Sequence, residues 1–289
     1  MSGEYRLRTE WDDDILDGGP DGLYHTLDSL VLGENPVAQL RPVDDDGSFV
    51  EAAVREDKSF QVRFTEAGSD VVESVSDADI LAVHQAFMRY VRADASWAAA
   101  VRALDGTALQ SGESATAVDY RETGLTIATA MIDFGNRQRR RGAGVVVPPV
   151  IRWGSKEVIT GDVWKDVPET GRLAIRVTGF DSSRGNGIAV SAMGGTLTFG
   201  DEPPVAELIL WPQSDAREFT MSFTAPKRAI GICNVYIVAG PNWSRVDRWS
   251  EYAGMLRRIV SREERAYDCN HALTDPPAFD DLSFSVSLT

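Results

Sequence analysis

Arg137-Gln138-Arg139-Arg140-Arg141-Gly142-Ala143-Gly144, followed after three valines by Pro148-Pro149, is where the chain changes character. A basic run that ends in small residues and then paired prolines reads as a solvated connector between two unlike parts. On its N-terminal side, residues 1–135 carry 26 acidic and 10 basic side chains; on the other, residues 136–289 carry 18 and 19. The net charge of −15 therefore sits almost wholly in the first half. A general solubility signature would spread acid over the whole surface, so the asymmetry points to one part that meets a basic partner or repels anions. The four arginines form no nucleic-acid patch: the run is short, lacks interleaved aromatics and abuts an acidic half that repels phosphates.

The expected organisation is an acidic α+β domain over 1–135, a basic linker over 136–144 and an all-β sandwich or jelly roll over 145–289. With 289 residues, 43% of them hydrophobic and 25% charged, each part is able to bury a core. No apolar run approaches the ~20 residues of a membrane span. The opening Met1-Ser2-Gly3-Glu4-Tyr5 lacks a signal-peptide pattern, so a cytoplasmic protein is expected. Cys233 and Cys269 are then expected as free thiols, although one disulfide between them stays open.

In the first half, Val37–Leu40 reads as extended and Asp44-Asp45-Asp46-Gly47 as a tight turn, with Gly47 able to take positive φ. Phe49–Val54 and Phe60–Thr65 alternate as strands, and Val71–Val75 is a candidate fourth, giving an antiparallel meander. Ser76 with Asp79 three residues on approximates a capping box, followed at helical spacing by Ile80, Val83, Phe87 and Tyr90 or Val91. The pattern resumes after a break near Asp94 with Trp97, Val101 and Leu104, and His84 lies near the apolar stripe as a structural or surface residue. Residues 105–119 read as a loop, and 120–134 as a strand or short helix of the first domain. The second half alternates short extended runs with turn chemistry, such as Asp181-Ser182-Ser183-Arg184-Gly185-Asn186-Gly187, which predicts eight or nine strands and a brief helix over 252–260.

No nucleotide loop, metal-ligand spacing or nucleophile motif stands in the chain, and no cofactor is expected. Cys269-Asn270-His271 with Asp268, Asp275, Asp280 and Asp281 combines thiol, imidazole and carboxylate. Catalysis would need an activated thiol, which adjacent carboxylates oppose. A calcium site at Asp275 and Asp280-Asp281 would supply only part of the ~six to eight oxygens that ion takes, so turn chemistry is the plainer reading. The candidate binding residues are Asp12, Asp13, Asp14, Asp44, Asp45 and Asp46, together with Trp243, Arg245, Trp249 and Tyr252 in a Gly/Pro-bounded segment.

A Trp11 start followed by an acidic, Gly-containing turn, the hairpin Asp46-Gly47-Ser48-Phe49-Val50 leading into Phe60-Gln61-Val62-Arg63-Phe64, and a closing helix with Phe87-Met88-Arg89-Tyr90-Val91 and Trp97 resemble the small intracellular immunity proteins of bacterial polymorphic-toxin systems. Those paired with deaminase or nuclease toxins are the nearest in kind. The resemblance covers about a third of the chain and implies an acidic module that neutralises a basic protein. The ending, Asp268-Cys269-Asn270 through Phe279-Asp280-Asp281-Leu282, has the look of actinobacterial β domains. The expected function is thus a non-enzymatic binding protein, its second half engaging another protein or a glycan, with no nucleic acid or membrane. A structural component of a phage or injection particle and a Cys/His-dependent enzyme remain the alternatives.

Overall fold

The computed structural model describes residues 5–9, 13–15, 19–33, 37–43, 47–107, 118–140, 149–213, 215–240 and 243–289, with 13–15, 140, 240 and 243 described by backbone alone. The chain is β-rich, with three antiparallel sheets and four α-helices among the described residues. It divides into two compact units, Met1–Ala117 with Glu122–Leu125, and Val118–Arg121 with Thr126–Thr289.

The first unit is a six-stranded sheet of β1 (Tyr5–Thr9), β2 (Asp13–Ile15), β3 (Val37–Pro42), β4 (Phe49–Val54), β5 (Phe60–Thr65) and β6 (Glu73–Ala78), in the order β2-β1-β3-β4-β5-β6. Alternation along the strands buries Leu40, Val50, Ala52, Val62 and Phe64. Helices α1 (Gly19–Leu32) and α2 (Ile80–Val91) add Leu23, Leu27, Val83 and Phe87 to that core. The opposite face is a polar ladder: Gln39, Glu51 and Arg63 stand in register across three strands, with Glu51 accepting from Gln39 Nε2 at 2.9 Å and from Arg63 Nη1 at 3.2 Å. Tyr90 of α2 and Trp97 of α3 (Trp97–Arg102) pack edge to face at 4.7 Å, with Phe64 against Trp97 at 5.7 Å. His84 is fully buried, its Nε2 2.9 Å from the carbonyl of Pro20.

Two details of this unit differ from the sequence reading. Ser76 lies within β6, and Asp79 is the N-cap of α2, its carboxylate accepting from the Leu81 N–H at 3.0 Å. The strand runs on to Ala78 opposite Phe60, leaving the helix to start one turn later than the capping-box pattern places it. Helix α1 and the β1–β2 pair were not read from the sequence; strands of five and three residues carry little periodicity.

The second unit takes in Val118–Arg121 and then α4 (Ile127–Arg140), so residues 136–140 of the expected linker are helical, while 141–144 lie outside the described residues. The Ala128 N–H donates to Glu251 O at 2.9 Å, and Asp133 is buried where it accepts from Tyr120 Oη at 2.7 Å and Arg137 Nε at 2.6 Å. Its strands are β7 (Ile151–Trp153), β8 (Lys156–Ile159), β9 (Asp162–Lys165), β10 (Thr170–Phe180), β11 (Asn186–Ala192), β12 (Thr196–Phe199), β13 (Glu207–Leu210), β14 (Glu218–Thr224), β15 (Ala229–Gly240), β16 (Trp243–Asp247), β17 (Gly254–Ile259), β18 (Glu264–Asn270) and β19 (Leu282–Leu288).

An eight-stranded sheet runs β12-β14-β10-β19-β18-β17-β8-β7, and a five-stranded sheet runs β13-β11-β15-β16 with β9 also on β15. Ile188, Val190, Ile230 and Ile232 of the smaller sheet share one core with Leu173, Ile175, Phe223, Tyr267 and Phe284 of the larger. The helix expected over 252–260 is instead β17: Met, Leu and Arg favour helix intrinsically, but β8 and β18 pair on either side and override that preference. Close packing fixes one turn as well. A side chain at Gly195 would place Cβ 1.8 Å from the Thr224 carbonyl oxygen, a contact that no rotamer relieves.

Candidate functional site

Asp162 opens β9 two residues before the buried Trp164, so strand alternation turns both side chains toward the core. A lone carboxylate there would be costly, and it is matched by three donors. Arg257 Nη1 donates to Oδ1 at 2.8 Å, Tyr267 Oη donates to Oδ2 at 2.8 Å, and Arg265 Nη1 donates to Oδ2 as well. The acceptor belongs to the five-stranded sheet and the donors to β17 and β18 of the other, so the cluster ties the two sheets together. Burial and the Asp162 charge push the Tyr267 hydroxyl up, which keeps it a neutral donor.

Arg265 also lies over the Trp164 ring, its guanidinium carbon 4.7 Å from the centroid. Both residues line a cleft of about 870 Å³ at this end of the unit. Lys165 ends β9, Arg228 precedes β15 and Arg262 sits in the β17–β18 turn, and all three are exposed in the cleft wall. None has an ion-pair partner among the described residues; Arg228 Nε donates to the Val167 carbonyl at 3.2 Å. Asp166 and Glu263 line the same cleft as exposed carboxylates, and Ile259, 63% exposed, supplies an apolar wall. Sequence reasoning missed this site. Its one legible signal was Asp162, a charged residue at a core register position.

The residues singled out from sequence are dispersed. Asp12 and Asp44–Asp46 lie outside the described residues. Asp13 and Asp14 are on β2, an edge strand, with Asp13 opposite Arg8 and Asp14 opposite Leu7. Acid on a short edge strand also blunts unwanted pairing. Trp243 and Arg245 are on β16 rather than in a loop, and Arg245 donates to Asp247 at 2.9 Å. Tyr252 is half-buried. Trp249 is 56% exposed at φ 64°, with the Arg248 guanidinium 5.6 Å from its ring. Arg248 in turn grips Glu207 through two bonds, at 2.9 and 2.8 Å, which holds the Glu207 carboxyl below its usual range.

Cys269 and His271 do not form a dyad. Cys269 is buried in the shared core, where burial first and neighbouring carboxylates second push its thiol well up. His271 packs against Tyr236 at 5.0 Å, and its Nδ1 accepts from the Leu273 N–H at 3.1 Å. Asn270 between them organises the following loop. Its Nδ2 donates to the carbonyls of Tyr252, His271 and Thr274, and its Oδ1 accepts from Ala278 and Phe279. Asp281 accepts from the His271 N–H at 2.8 Å and Asp268 from Ser283 Oγ at 2.7 Å. No group of three or more His, Cys, Asp or Glu side chains is placed to hold a metal among the described residues. Both cysteines are free, and burial pushes the Cys233 thiol up to about 11. No helix among the described residues is long and apolar enough to cross a membrane.

Compared with models of protein families, with curated proteins and with solved structures, the chain matches none.

Proposed function

We propose that this chain is a non-enzymatic, cytoplasmic binding protein with two working parts. The acidic first half captures a basic protein surface in the manner of an immunity protein, and the second half, a β-sandwich module, binds through its cationic cleft. The observation that carries the reading is the placement of charge: in a chain of net charge −15, three cations without ion-pair partners among the described residues share one cleft. The insulated Cys269 thiol and the His271 ring committed to backbone support a binding role over thiol chemistry. Occlusion of the partner would then be steric, with opposite charge raising the encounter rate.

The test uses the full chain as bait in a pull-down from the source cell, followed by association kinetics with what is captured. The expected partner is basic, and its association slows steeply as salt shortens the Debye length from about 10 Å at 0.1 M to about 3 Å at 1 M. Replacing Asp12, Asp13 and Asp14 with Asn, or Asp44, Asp45 and Asp46 with Asn, slows association while leaving stability almost unaltered. Salt-independent association with both triplets silent would remove the reading.

A further inference from the structure

The cleft beside Asp162 carries more chemical information than its net charge. Lys165, Arg228 and Arg262 offer donors suited to an oxyanion, while Asp166, Glu263 and the hydroxyls of Thr170 and Ser261 offer acceptors in the same wall. A ligand that satisfies both sets bears acidic groups and hydroxyls together. Ile259, largely exposed, provides an apolar surface against which a ring's C–H face is able to pack.

Three competing ligand classes fit less well. A nucleobase needs an open aromatic face, yet Trp164 and Phe223 are each 3% exposed and Arg265 lies over the Trp164 ring. A nucleic-acid backbone would meet Asp166 and Glu263 as like charges. A single inorganic anion leaves most of a cleft of about 870 Å³ unfilled, a volume within the range of sites that enclose drug-sized ligands.

We propose that this cleft is a binding site for a carboxylated oligosaccharide, its carboxylates held by Lys165, Arg228 and Arg262 and its hydroxyls by Asp166 and Glu263. The Asp162 cluster acts as a positioning group: it clamps Arg265 and so fixes the cleft floor without itself facing the ligand. This assignment rests on the proposed role of the second unit as a binding module and names its ligand class.

The test is calorimetric titration of the full chain with a galacturonic acid tetramer and a sialylated trisaccharide, with a neutral glucose tetramer, inorganic phosphate and a nucleoside monophosphate at matched ionic strength. At least one acidic sugar should bind ten-fold or more tightly than the neutral tetramer. Lys165→Gln and Arg262→Gln, both exposed side chains, should each weaken it at least five-fold with unchanged thermal unfolding. Arg176→Gln, on the exposed Arg176–Glu218 pair outside the cleft, should leave it unchanged. Equal affinity for the neutral sugar, no binding of either acidic sugar, tighter binding of phosphate or the nucleotide, or indifference to the cleft substitutions would each overturn the assignment. Capture of a basic protein by the same preparation, sensitive to the aspartate triplets, would show that the broader binding role survives such a failure; loss of both would end it too.

Discussion

At the scale of single residues, the two most consequential groups are both buried and polar. Asp162 is fully buried as a side chain, while its partners Arg257 and Arg265 are 31% and 13% exposed, so removing the carboxylate strands two cations at the edge of the core. Asp162→Ala should therefore destabilise the chain by roughly 3–5 kcal/mol. Breaking the exposed Arg176–Glu218 pair should change stability by about 0–1 kcal/mol. Urea unfolding of the two variants side by side checks this, and equal small losses would show that the cluster is not a clamp. His271 gives a pH signature. Burial, with Arg184 nearby, lowers its pKa below the ordinary 6.5. The unfolded chain then binds the proton more readily, so this contribution to stability is complete above about pH 6.5 and is lost as pH falls toward and through the folded value. Thermal unfolding should move to lower temperature over that acid window, and His271→Gln should flatten the slope.

Among elements, α2 shows how a strand decides where a helix begins. Asp79→Ala should cost about 0.5–2 kcal/mol through loss of the cap, whereas Ser76→Ala, at a position inside β6, should change stability by less than about 0.5 kcal/mol. Denaturation midpoints followed by circular dichroism separate the two, and the reverse ranking would restore Ser76 as the cap. The same lesson holds at β17. The stretch 254–259 has helical propensity, but residue preferences of a few tenths of a kcal/mol give way to two flanking ladders. By contrast, β5 and α2 were legible because a clean period of two or of 3.6 leaves one apolar face to bury.

For the molecule as a whole, α4 bears on where the chain is separable. Ile127 is fully buried, and its side chain comes to 3.1 Å of where a Cβ on Gly254 would stand, so the helix belongs to the packing of the second unit. A fragment of residues 118–289 should unfold cooperatively, and one of 145–289, which lacks α4, should melt lower. Burying one isoleucine contributes roughly 1.5–3 kcal/mol, which for a fragment of this size corresponds to about 3–12 °C. Calorimetry of both fragments checks it; equal melting temperatures would favour a boundary at residues 136–144.

The sequence by itself determined the β-rich character of the chain, the meander and its α2 helix, and the concentration of acid in the first half. These follow from composition and from periods that repeat within a few residues. Only the tertiary structure decided that Asp162 meets Arg257, Arg265 and Tyr267, and that Lys165, Arg228 and Arg262 share one cleft. Those residues come from β9, the turn before β15, and the β17–β18 hairpin with its turn, three segments that lie far apart along the chain. Their neighbourhood is set by β9 pairing with β15, some 65 residues on, and by two sheets closing on a common core. Non-local pairing of that kind leaves no local period to read, because each strand alternates in the same way whichever partner it finds.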